Sequence, residues 1–172
     1  MNYKLKQNNY SRKKAVSYAC TYALKPNPAY RYFPLHVNTS GDCSNFVSQC
    51  LRAGGAPFNF NHRNPWWYNS KHINNDTWTI SWATANSLYW HLKISNKLKL
   101  PGLKGIEVNS TQTLKLGDLI FYEDTNGVIF HSAIITAFSN TPLVSQHSYE
   151  ALSIPYINSY KAYKIHFIKV SF

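Results

Sequence analysis

The chain has 172 residues, of which 44% are hydrophobic, 16% aromatic and 15% charged, and it carries a formal net charge of +11. That length suits one domain able to hide roughly 70% of its unfolded surface, and a composition rich in aromatics and poor in charge excludes disordered, collagen-like and coiled-coil chains. No apolar run approaches the roughly 18 residues of a membrane span, and the segment Met1–Lys6 lacks the apolar core of a secretory signal, so the expected compartment is the cytoplasm.

Residues 1–9 read as a basic tail and residues 10–172 as the domain. Apolar positions from Ala15 to Ala23 recur at helical spacing, which predicts a helix over Ser11–Leu24 with Ser11 as N-cap, stopped by Pro26 and Pro28. Residues 25–42 form a connection. A second helix is predicted over Cys43–Ala53, with Asp42 as N-cap and Gly54-Gly55 ending it. Residues 56–79 read as a long aromatic loop, and a third helix is predicted over Trp82–Ile94. The second half changes to short apolar or alternating runs at Gly117–Tyr122, Val128–Phe138, Leu143–His147 and Lys161–Val170, separated by turn residues. Helices followed by a strand meander predict an α+β domain, its helices packed on one face of an antiparallel sheet.

Chemistry concentrates at Gly41-Asp-Cys-Ser-Asn-Phe-Val-Ser-Gln-Cys50. Cys43 opens the second helix, where unpaired N–H groups and the positive end of the dipole favour a thiolate. The N–H groups around Asp42, Cys43 and Ser44 can also receive an oxyanion. Cys20 and Cys50 lie on apolar helix stripes and read as small buried hydrophobes.

A thiolate nucleophile needs a base. His36, His62, His72 and His91 fall in polar loops or on helix surfaces, and His166 on the exposed side of an alternating strand. His131 begins the apolar strand Ser132–Phe138 and needs a polar partner, which a facing cysteine supplies. If the loop Ser139–Thr141 is tight, His147 lies opposite His131 and orients it; a one-residue slip puts Gln146 or Ser148 there instead. His147 is the first choice for this role and Gln146 the second.

The runs Asp42-Cys-Ser-Asn-Phe-Val-Ser-Gln49, Leu116-Gly-Asp-Leu-Ile-Phe-Tyr122, His131-Ser-Ala-Ile-Ile-Thr136 and Ser145-Gln-His-Ser148 resemble the putative amidase domain family. That family is similar to the NlpC-type and CHAP amidases of the papain-like superfamily. The likeness covers about residues 10 to 170, including Trp66-Trp67-Tyr68 and the Trp82 helix. It implies a papain-like fold, Cys43 as nucleophile, His131 as general base and acid, and a polar orienting residue near His147.

The expected chemistry is acyl transfer on an amide or thioester carbonyl through an acyl-thioester on Cys43. Water as second nucleophile makes a peptidase-like amidase; an amine makes an amide-forming acyltransferase. The aromatic loop bearing Trp66, Trp67, Tyr68 and Trp82 is the expected substrate wall. The basic surface suits a peptide or acyl donor presented by an acidic carrier protein or an anionic polymer. It also admits a nucleic-acid-binding reading with Trp66, Trp67 and Tyr68 as stacking platforms, although no known binding motif accompanies them. Three cysteines without a C-x-x-C pair, and the lack of H-E-x-x-H, give no reason to expect a metal or cofactor.

Overall fold

The computed structural model describes residues 10–36, 41–71 and 75–172; the basic tail and His72 lie outside them. Helix α1 (Arg12–Tyr22) starts at Ser11, whose hydroxyl accepts from the Lys14 N–H. Helix α2 spans Cys43–Ala53. A small hairpin of β1 (Tyr68–Asn69) and β2 (Thr77–Trp78) follows. The single helix expected from Trp82 is two, α3 (Ile80–Ala83) and α4 (Ala85–Lys97), because Thr84 between them adopts an extended conformation (φ −120°, ψ 141°).

The main sheet contains β3 (Lys104–Val108), β4 (Leu119–Glu123), β5 (Ile129–Phe138), β6 (Pro142–Gln146), β7 (Ala151–Pro155) and β8 (Lys164–Ser171). Their order is β3-β8-β4-β5-β6-β7, with every neighbour antiparallel. The architecture is thus α+β with an antiparallel sheet. Sequence patterning missed the edge strands β3 and β7, whose residues are mostly half-buried and do not alternate cleanly.

Strand β4 shows how the sheet is buried. Leu119 and Phe121 face the helices, whereas Ile120 and Tyr122 face a second cluster with Ala133, Ile135 and Val144. Successive side chains point to opposite faces, so a run apolar at every position belongs in the middle of a sheet covered on both sides. The helix-side core includes Ala15, Ala19, Phe46, Val47, Leu51, Leu88 and Leu92.

Helix α2 is buried from Cys43 to Leu51 although it carries four polar side chains in that span. Each is hydrogen-bonded, as burial requires. Ser44 meets Ser132 at 2.8 Å, Asn45 accepts from Trp82 Nε1 at 2.7 Å, Ser48 donates to the Trp82 carbonyl at 2.9 Å, and Gln49 accepts from Tyr18 at 2.7 Å.

Two ionic clusters lock the sheet. Arg12 donates to Asp118 Oδ1 at 2.6 Å and to the carbonyls of Leu116 and Val170. Asp118, fully buried, also accepts from the N–H groups of Val170 and Lys115. Further along, His166 donates to Glu107 at 2.6 Å and Glu123 at 2.8 Å, while Lys93 holds Glu107. The exposed position expected for His166 is therefore wrong: it is buried, and its two carboxylate partners come from β3 and β4, the strands on either side of β8.

Replacing Asp118 by Ala orphans two backbone donors and removes the carboxylate partner of Arg12, which costs about 3 kcal/mol. Thermal unfolding should show Tm lowered by roughly 10 °C; an unchanged Tm would contradict the anchoring role.

Candidate active site

Asp42 occupies the N-cap position of α2, yet its side chain makes no capping bond. Its Oδ1 accepts from the Phe33 N–H at 2.9 Å and Asn45 Nδ2 at 2.8 Å, and its Oδ2 meets His147 Nδ1 at 2.5 Å. The carboxylate is thus spent on neighbouring elements and leaves the first-turn N–H groups uncapped by it. An oxyanion site needs donors of this kind.

Cys43 follows, with none of its surface exposed. Its sulfur lies 3.9 Å from Ser44 Oγ, and Ser132, the residue after His131, hydrogen-bonds it through backbone and hydroxyl. Burial pushes the thiol's pKa up, and the bonds from Ser132 and Ser44 offset only part of that push. The depressed thiol pKa expected from the helix start is not what this site shows at rest, because desolvation outweighs the helix dipole.

His131 is 2% exposed. Its Nε2 is 3.0 Å from Gln146 Oε1. Gln146 Nε2 donates to the Tyr149 carbonyl at 3.1 Å, which fixes the amide's orientation, and Ser159 Oγ donates to the same Oε1. An oxygen that only accepts requires the proton of His131 on Nε2, so Nδ1 keeps its lone pair. Burial pushes the imidazole pKa down to about 3, with Gln146 opposing. The resting pair is a neutral thiol and a neutral imidazole. The Tyr160 ring lies on His131 at 4.1 Å between centroids.

The structure does not bring His147 to His131. Phe138 pairs with Pro142 around a three-residue loop, and a bulge at Thr136 then shifts the register to Ile134 against Ser145. Continued, that register sets Gln146 on the face of Ala133 and His131 and turns His147 to the other face. His147 reaches Asp42 instead, and its Nε2 donates to the Tyr22 carbonyl at 2.7 Å. It stacks on Phe46 at 4.2 Å.

Three of the four residues expected in the substrate wall are buried. Trp66 and Trp82 are wholly enclosed, with Trp66 Nε1 donating to Ser48 and Trp82 Nε1 to Asn45. Tyr68 donates to Asp76 and accepts from the Arg31 N–H. Trp67 is half-buried against Phe60. They support α2 from beneath, and stacking platforms for a nucleic acid are not presented by Trp66 or Tyr68. Cys50 is buried as expected, whereas Cys20 is exposed. His36 and His62 are exposed, but His91 is not.

Sequence reasoning missed Ser132, Ser159 and Tyr160, and it considered Ser148 only as an alternative partner opposite His131. Ser132 sits inside the His131 motif, so adjacency to the base was a usable signal. The other three reach the site only through tertiary contacts: Ser148 Oγ accepts from the Asp42 N–H at 2.7 Å, and Tyr160 donates to the Ser148 carbonyl.

His91 shares the depressed basicity of His131. Burial pushes its pKa down to about 4; the nearby Asn64 backbone offsets part of this, without hydrogen-bond geometry at either ring nitrogen. Unfolded, each ring takes up a proton below pH 6.5, whereas folded it resists down to about 4 for His91 and 3 for His131. Their contribution to stability is complete above pH 6.5 and is lost as pH falls toward 4. In urea unfolding, His91→Phe should flatten the pH dependence between these limits by about 1.4 kcal/mol per pH unit; an unaltered slope would contradict a neutral buried His91.

Comparison with known proteins locates this arrangement. The family described as a putative amidase domain matches residues 9–168. The uncharacterized protein YhbB of Bacillus subtilis (strain 168) is 36% identical over 147 residues, 83% of this chain and 42% of that protein. The uncharacterized protein YjcM of the same organism is 35% identical over 156 residues, 85% of this chain and 32% of that protein. The chain therefore spans less than half the length of these curated relatives. No solved structure matches it significantly. With nearly its whole length matched, the chain belongs to the putative amidase domain family.

Proposed function

We propose that this protein is a cysteine-nucleophile amidase of papain-like type, acting on a peptide or other acyl amide. The observation that supports it most is the Gln146–His131 bond. It leaves the Nδ1 lone pair of His131 as the base, while the next residue of the strand, Ser132, bonds Ser44 at the start of α2.

In this reading the Cys43 thiol passes its proton to His131 Nδ1 as the sulfur attacks the carbonyl carbon. The N–H groups at the start of α2 hold the oxyanion. When the tetrahedral intermediate collapses, the C–N bond breaks and His131 returns the proton to the leaving amine. An acyl-thioester remains on Cys43. Water, deprotonated by His131, attacks that thioester, and the acid departs with the thiol restored. A neutral resting pair suits this cycle, since each transfer starts from an imidazole able to accept.

The burial of Cys43 and His131 favours one other ending. A site that excludes water can reserve the acyl-enzyme for an amine, which would make the protein an amide-forming acyltransferase. The net charge of +11 would then help to dock an acidic carrier of the thioester.

Hydrolysis of a panel of short peptides and acyl amides, followed by mass spectrometry, tests the reading. Cys43→Ala and His131→Ala should each lower kcat/KM by 10³-fold or more, and Gln146→Ala by about 10- to 100-fold, chiefly in kcat. Amide hydrolysis that survives in Cys43→Ala would refute the nucleophile. Amide product exceeding free acid when an amine is supplied would replace hydrolysis by aminolysis.

A further inference from the structure

Cys43 is 0% exposed and His131 2%, yet an acyl donor must touch both. The segment lying against His131 follows the 3-10 turn Tyr156–Asn158, and it bonds Ser148, whose Oγ accepts from the N–H of Asp42 next to Cys43. The Tyr160 ring rests on the His131 imidazole, and its hydroxyl donates to the Ser148 carbonyl. Ser159 Oγ, one residue earlier, donates to Gln146 Oε1. Phe130 and Tyr149 flank the Tyr160 ring at 5.7 and 5.9 Å.

The backbone of this segment is held much less. Ser159 N–H bonds the Tyr156 carbonyl at 3.3 Å, and Tyr163 N–H bonds the Glu123 carbonyl at 2.9 Å. Between them, among the described residues, the N–H groups of Tyr160, Lys161 and Ala162 make no backbone–backbone hydrogen bond. The stretch is fixed at its two ends and held over the site by two hydroxyls and one ring. A segment with few backbone bonds opens at lower cost than the sheet around it.

The geometry points to residues 159–162 as a cover over the nucleophile, with Tyr160 as its latch and as a positioning residue for His131. Lifting the ring exposes Cys43; setting it down closes the imidazole off from water and brings Ser159 back to Gln146. Closure of this kind protects an acyl-enzyme from premature hydrolysis. Its role in turnover rests on Cys43 and His131 being the reacting pair, but the opening itself can be measured without substrate.

The protein's own thiols supply the controls. Cys20 is exposed and reports intrinsic reactivity, while Cys50 is buried and reports global unfolding. The folded protein is treated with iodoacetamide at pH 7.5, and alkylation of each cysteine is followed by peptide mass spectrometry. In the wild type Cys43 should react much more slowly than Cys20. Tyr160→Phe keeps the ring and removes the latch, so Cys43 alkylation should rise roughly five-fold, as loss of one hydrogen bond implies. Tyr160→Ala should raise it more than ten-fold, with Cys50 unchanged in both variants. An unchanged Cys43 rate in Tyr160→Ala, or Cys43 and Cys50 rising together in Tyr160→Phe, would overturn the cover. Faster Cys43 alkylation in Tyr160→Phe, alongside full activity in Cys43→Ala, would refute the nucleophile and leave the cover standing. The reverse pairing would remove the cover alone.

Discussion

The contact between Asp42 and His147 is the constraint on which the rest of the site depends. A carboxylate that is 1% exposed must be paired, and here it joins four parts of the chain. Its partners are the Phe33 backbone, Asn45 one turn into α2, and His147 beyond β6, whose ring continues to the Tyr22 carbonyl at the end of α1. The His147 ring donates at Nε2 and meets a carboxylate at Nδ1, so the Nδ1–Oδ2 contact also holds a proton. This cross-link sets where α2 begins, and hence where Cys43 stands, relative to the strand that carries Gln146. It also diverts the Asp42 side chain from capping the first turn of α2.

Alternation along an extended strand lets two adjacent residues serve opposite sides. Gln146 turns to His131 and His147 to Asp42. The chain then reverses through Ser148 and Tyr149, both at positive φ (57° and 59°), a conformation that costs non-glycine residues free energy. Each residue of the turn is tied to its surroundings. Ser148 Oγ accepts from Asp42 N–H, the Tyr149 carbonyl accepts from Gln146, and Glu150 accepts from Tyr32. The close approach shows at Gly41, where φ is +63° and a Cβ would lie 2.2 Å from Ser148 Oγ. Only glycine lets the two loops meet there.

Local signals made part of this legible from sequence. The bounds of α2 follow from Asp42 and the Gly54-Gly55 pair, and Cys43 at its first turn follows from them. The long β5 run and its His131 start were equally plain. What could not be read is whatever depends on distant partners. The bulge at Thr136 is a one-residue event that exchanges Gln146 for His147 beside His131. His166 looks exposed by alternation, and its burial is explained only by Glu107 and Glu123 on other strands. The tryptophans of the aromatic loop resemble a binding platform until their N–H groups are matched to Ser48 and Asn45 on the buried polar side of α2. Polar residues on a helix normally signal solvent; here they signal partners contributed by the rest of the fold.

In the proposed reaction Cys43 becomes acylated, with His131 held for the task by Gln146. Intact-mass spectrometry after brief exposure to an activated acyl donor, such as a peptide thioester, tests it most directly. The expected result is a single acyl adduct, mapped to Cys43, released by neutral hydroxylamine and strongly diminished in His131→Ala. Turnover of the donor with no adduct on Cys43, or with the acyl group on Cys20 in its place, would contradict it.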